Sequence, residues 1–111
     1  MFNIAISNTD DHLRNHGFLL HKDGWHLSPL FDVNPNPYGN NLSLGISEED
    51  STLDMSLALD MAEFYQIKQV DAKRIIDNTK SIVADNWHVL AKKYGLSRTA
   101  IERMSPAFMG Q

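Results

Sequence analysis

A mainly α-helical fold carrying one small β-hairpin is what the 111 residues predict. Three observations point to it. Asp23-Gly24 stands between two short apolar runs. Residues 34–41 are dense in Asn, Pro and Gly, and so form a loop. From about Val70 to Tyr94 the apolar side chains recur at helical spacing.

The elements follow in order. Phe2, Ile4, Ala5 and Ile6 are expected to be buried, as the end of a helix whose beginning lies outside the sequence. Ser7-Asn8-Thr9-Asp10 stops that helix, because short polar side chains compete for its backbone hydrogen bonds. Phe18 to Lys22 and Trp25 to Leu27 are two strands. The Asp23-Gly24 pair between them suits the positive φ angles of a type I′ turn. Leu42, Leu44 and Ile46 alternate with Ser43, Gly45 and Ser47, the period of a short strand. Ser51 or Thr52 caps a helix running to about Tyr65, with Leu53, Leu57, Met61 and Phe64 on one stripe.

The long helix after it carries Ile75, Ile76, Thr79, Ile82, Val83, Trp87, Leu90 and Ala91 along its buried side. Gly95 ends it, Ser97 caps a short helix, and Pro106 closes that one. Met55, Met61, Leu57, Trp87 and Trp25 are expected in the core. The chain thus reads as a single partial domain over 1–111. A polar front built on the hairpin covers about 8–47, and a helical part covers about 51–108.

Composition removes several function classes. Hydrophobic content of 42% and charged content of 22% are ordinary for a globular domain. With no cysteine there is no disulfide framework and no thiolate zinc site, which fits the reducing cytoplasm. No apolar run is long enough to span a membrane, and Met1 to Asn8 lacks the pattern of a signal peptide. A net charge of −4 argues against non-specific nucleic-acid binding. The acidic excess is concentrated in residues 1–50, where Asp10, Asp11, Asp23, Asp32, Glu48, Glu49 and Asp50 face only Arg14 and Lys22.

The chemistry-bearing residues flank the hairpin. Asp10 and Asn15 stand directly before it and Asp32 directly after it. A hairpin folds its outer ends together, so Asn15 and Asp32 are expected to be neighbours. A carboxylate that orients a hydroxyl, followed by a carboxamide and a second carboxylate that hold magnesium, is the set that phosphoryl transfer needs. Protein kinases order it as D-x-x-x-x-N and then a metal-binding Asp after two short strands. The order here is Asp10 as base, with Asn15 and Asp32 as ligands. Asp11 is expected to point elsewhere as a bystander.

Two other sites compete. His12, His16, His21 and His26 lie among Asp10, Asp11 and Asp32, a combination that suits zinc or iron if the chain gathers them. Residues 87–104 fit a helix-turn-helix DNA reader, with Ala91, Gly95 and Ile101 at the spacing that lets two helices cross closely. Basic residues outnumber acidic ones eight to four over residues 68–103. Any two helices joined by Gly95-Leu96-Ser97 have the same pattern, so direct nucleic-acid binding is the alternative and not the principal expectation.

The run Asn8-Thr9-Asp10-Asp11-His12-Leu13-Arg14-Asn15-His16-Gly17-Phe18, followed by Leu27-Ser28-Pro29-Leu30-Phe31-Asp32-Val33, resembles the C-terminal part of HipA-type serine/threonine kinases. These are the toxins of bacterial toxin–antitoxin pairs. Tyr94-Gly95-Leu96-Ser97 and Ile101 to Phe108 resemble the family's tail. The resemblance implies a piece of a protein-kinase-like C-terminal lobe, with Asp10 matching the catalytic base, His12 bracing the loop, and Asn15 and Asp32 matching the magnesium ligands. It further implies Mg2+ and ATP as cofactors, a protein substrate tied to translation, and a DNA-binding antitoxin as partner. Phe31-Asp32-Val33 departs from the Asp-Phe-Gly of ordinary protein kinases, so that motif's flip is not assumed. No Gly-rich phosphate loop occurs, since the six glycines are scattered singly. The 111 residues alone are therefore expected to be inactive.

Overall fold

The computed structural model describes residues 1–109, which are mainly helical with a two-stranded antiparallel hairpin. Helix α1 (Phe2–Ala5) leads into a 3-10 turn (Leu13–Asn15), then strands β1 (Phe18–His21) and β2 (Gly24–Leu27). A loop reaches α2 (Met55–Asp60) and a second 3-10 turn (Ala62–Tyr65). The long α3 (Gln69–Lys93), α4 (Arg98–Met104) and α5 (Pro106–Met109) complete it.

The core gathers Ile4, Ala5 and Ile6 of the first segment against Met55 of α2 and Ile76 and Val83 of α3. Val33, Leu42, Ile46 and Phe108 pack around it. Burying apolar surface around α1 anchors the polar segment that follows, and this segment holds the candidate site. Helix α3 closes on Tyr94, with Gly95 at φ +80° supplying the left-handed exit. Ser97 then caps α4, its hydroxyl accepting from the Ala100 N–H at 3.2 Å.

Several expectations are corrected. The β1–β2 register pairs His21 with Gly24, so Lys22-Asp23 is the two-residue loop. Neither of those residues has positive φ, which excludes a type I′ turn; Gly24 carries the reversal at φ +125°. The alternating segment 42–46 forms no strand. Asn41 makes one isolated bridge to Thr52, after which Ile46 and Ser47 both donate to the Asp50 carbonyl and turn the chain back. That bridge occupies Thr52, so α2 starts later. Asp54 caps it, its carboxylate accepting from the Ser56 N–H at 2.8 Å.

Beyond Met61 the helix tightens into the 3-10 turn, which rotates Phe64 off the stripe and leaves it 80% exposed. Trp25, expected in the core, is 69% exposed on the hairpin. The α3 stripe is narrower than its spacing suggests. Ile76 and Val83 are buried, while Ile82 and Leu90 line an apolar cavity of about 610 Å³ with Trp87 and Phe108, which stack 4.7 Å apart. Pro106 opens α5 directly after α4, suiting the first position of a helix, where its missing N–H costs nothing.

Candidate functional site

The segment after α1 is bound from several sides. Ser7 adopts φ +55°; its hydroxyl donates to the Ala107 carbonyl at 2.7 Å and its own carbonyl accepts the Asn36 N–H at 3.0 Å. Asn8 is buried and donates to Asn3 Oδ1 at 3.0 Å. The Thr9 carbonyl accepts from both the backbone N–H (3.1 Å) and the hydroxyl (2.8 Å) of Ser43, and its Oγ1 accepts from Asn36 Nδ2 at 3.0 Å. Gly39 lies so close to Thr9 that an added Cβ would stand 2.5 Å from the threonine methyl. Asp10 follows this fixed stretch. It is exposed, and its carboxylate takes no hydrogen bond or ion pair among the described residues.

The next residues double back. The Asn15 N–H donates to the His12 carbonyl at 2.8 Å, and the His12 N–H donates to Asn15 Oδ1 at 3.2 Å. His12 therefore holds Asn15 through its backbone, while its ring Nδ1 is buried without a partner. Asn15 is 6% exposed, and its Nδ2 donates to Asp32 Oδ2 at 3.0 Å. The hairpin thus brings Asn15 and Asp32 together across seventeen positions of sequence.

Asp32 itself is exposed, at φ +53°, a left-handed conformation that aspartate tolerates better than most residues. Its second oxygen accepts from Asn34 Nδ2 at 2.9 Å. Exchanging the Asn15 amide oxygen and nitrogen would set Nδ2 against the His12 N–H, donor against donor, so the hydrogen bonds fix this orientation.

Asp11 turns back toward α1 and His16. Its side chain is only 14% exposed; one oxygen accepts from Asn3 Nδ2 at 2.7 Å and the other stands 2.8 Å from His16 Nε2. The His16 approach is a close contact and not an aligned hydrogen bond. Sequence reasoning missed Asp11, His16, Asn34 and Asn36 as members of the site. Only Asn34 carried a signal, as an Asn two residues beyond a loop aspartate.

The histidines are separated: His16 lies on Asp11, while His26 lies 2.9 Å from Asp23 and edge-on to His21 at the far hairpin end. Among the described residues no three His, Asp or Glu side chains gather to hold a metal ion. Nor is any described helix long and apolar enough to cross a membrane.

Comparison with known proteins gives the family. The family described as the HipA-like C-terminal domain matches residues 1–87, which include all four site residues, Asp10, His12, Asn15 and Asp32. The tail resemblance over 94–108 lies beyond the match. No curated protein and no solved structure matches the chain. A match over most of the chain, with the hairpin joining Asn15 to Asp32 inside it, shows that this protein belongs to the HipA-like C-terminal domain family.

Proposed function

We propose that this chain carries the catalytic loop of a Mg-ATP-dependent serine/threonine protein kinase and is inactive without a nucleotide-gripping part. The Asn15–Asp32 hydrogen bond at 3.0 Å supports this most, since it sets a carboxamide beside a carboxylate at the base of the hairpin. Asp10, free of partners, supplies the third group.

The donor set fits magnesium. Asp32 offers an exposed carboxylate and Asn15 an amide oxygen, both hard ligands, with no thiolate or imidazole between them. When bound, magnesium neutralises charge on the transferring phosphoryl group. Asp32 and Asn15 would hold it, and to present its oxygen the Asn15 amide would have to release both the Asp32 carboxylate and the His12 N–H. Asp10 orients the attacking hydroxyl and accepts its proton, a task suited to an exposed carboxylate.

The bare hairpin face is consistent with a larger enzyme. Phe18 and Leu27, with Leu20 and Trp25, lie as cross-strand pairs on one face, each more than 60% exposed. Such a patch marks a surface that packs against something. A protein substrate in the translation machinery and a DNA-binding antitoxin partner belong to this proposal through the family resemblance, as does a cytoplasmic location. In the enzyme that contains this domain, Asp10→Asn should lower turnover about a thousandfold while melting stays near normal. Full activity in Asp10→Asn would remove the base assignment.

A helix-turn-helix reading keeps one observation in its favour: Gly95 at φ +80° and the Ser97 cap form a tight turn between α3 and α4. Duplex DNA affinity that falls steeply with salt would support it.

A further inference from the structure

Asp11 and His16 occupy matched places in the loop. Asp11 directly follows Asp10, the proposed base, and His16 directly follows Asn15, the proposed ligand. Their side chains meet at 2.8 Å, so the contact closes the segment from Asp11 to His16 on itself, directly after Asp10. The other Asp11 oxygen is held by Asn3 Nδ2 at 2.7 Å, and Asn3 belongs to α1, whose Ile4 and Ala5 are buried in the core. A short polar loop of this kind has few apolar contacts of its own to order it, and its backbone entropy opposes a fixed geometry.

We infer that Asp11 and His16 form a clasp, anchored to α1 by Asn3, that fixes the spacing between Asp10 and Asn15. Asp11 is then a positioning residue, acting on the reaction only through its neighbours. The inference rests on the kinase reading for its purpose, but the clasp itself is a property of this chain. Its burial supports the assignment: Asp11 is 14% and His16 31% exposed, whereas the exposed Asp23–His26 pair on the hairpin stands at 74% and 50%. A contact shielded from water meets less competition from solvent than an exposed one, so the first pair can hold a loop where the second contributes little. An Asn at position 11 keeps one oxygen to accept from Asn3 and turns an amide N–H toward His16 Nε2, a ring nitrogen that can accept it, and so should preserve the clasp; Ala offers neither.

The experiment is 15N relaxation on the full 111-residue chain, comparing wild type with Asp11→Ala, Asp11→Asn and His16→Ala. In wild type the amides of Asp10 to Asn15 should have order parameters near ~0.85, as in rigid backbone. In Asp11→Ala and His16→Ala they should fall below ~0.6 while α3 and the hairpin are unchanged, and Asp11→Asn should restore them. If Asp11→Ala does not fold, His16→Ala alone decides, because it leaves the Asn3–Asp11 anchor intact. Unchanged order at 10–15 in the Ala variants, or loosening spread evenly over the whole chain, would overturn the clasp. Manganese binding, measured on the same samples, reports on the kinase reading separately. A rigid-to-mobile change without manganese binding leaves the clasp standing and removes the metal site.

Discussion

Asn15 donates its amide to Asp32 at 3.0 Å while its own oxygen accepts the His12 N–H at 3.2 Å, so one buried side chain ties the loop before the hairpin to the loop after it. Two consequences separate cleanly. Asn15→Ala leaves the His12 N–H without its side-chain acceptor and opens a small void, and should cost about 1–3 kcal/mol in urea unfolding. Asn15→Asp sets a second carboxylate against Asp32, lowering stability at neutral pH through like-charge repulsion. Millimolar magnesium should then recover part of the loss, since a cation that binds only the folded state stabilises it by mass action.

Gly39 controls the loop that packs on the segment leading to Asp10. A Cβ there would lie 2.5–3.0 Å from Thr9 side-chain atoms, including its fixed Cβ, so Gly39→Ala must displace backbone. The expected loss is about 1–3 kcal/mol, seen as a fall of several degrees in melting temperature. Adding Thr9→Ala should restore part of it, and a melting temperature untouched by Gly39→Ala would mean that the two loops do not touch in solution.

Acid should weaken the α2 end first. The Ser56 hydroxyl and N–H hold the Asp54 carboxyl below its ordinary value, and Thr52 does the same for Asp50. Because the folded-state values are lowered, this contribution is present above the ordinary carboxylate range and is lost as pH falls through the lowered folded values. Urea midpoints should therefore drop with acidification, and less steeply in Asp54→Asn, whose cap cannot titrate. Identical slopes for the two proteins would contradict it.

The hairpin face offers a test of what is bare. Leu20 and Trp25 are 67% and 69% exposed, so Leu20→Lys with Trp25→Lys should leave unfolding within about 0.5 kcal/mol per site and reduce self-association at high concentration. A loss the size of a core truncation would show that this face is covered.

The fold was legible wherever a local rule governed it. Gly95 and Ser97 mark the α3–α4 turn because positive φ and a hydroxyl cap are properties of single residues. The Asn15–Asp32 meeting was legible because any hairpin joins its own ends. Position 42–46 misled, since alternation specifies a face but supplies no partner strand, and here only Asn41 finds one at Thr52. Trp25 misled in the same way: hydrophobicity says that a side chain seeks cover, not that these residues provide it. Asp11 was invisible because its partners, Asn3 and His16, are set by how α1 and the turn pack, which no spacing in the sequence encodes.

The central claim is a divalent-cation site at Asn15 and Asp32, and a manganese titration followed by amide NMR tests it most directly. Magnesium-type sites that await substrate phosphates bind weakly, so the affinity should be on the order of millimolar. Broadening should centre on Asn15, Asp32 and Asn34, reach Asp10, and vanish in Asp32→Ala. Broadening that centres on His21 and His26 at the hairpin end, with Asn15 and Asp32 left sharp, would contradict it.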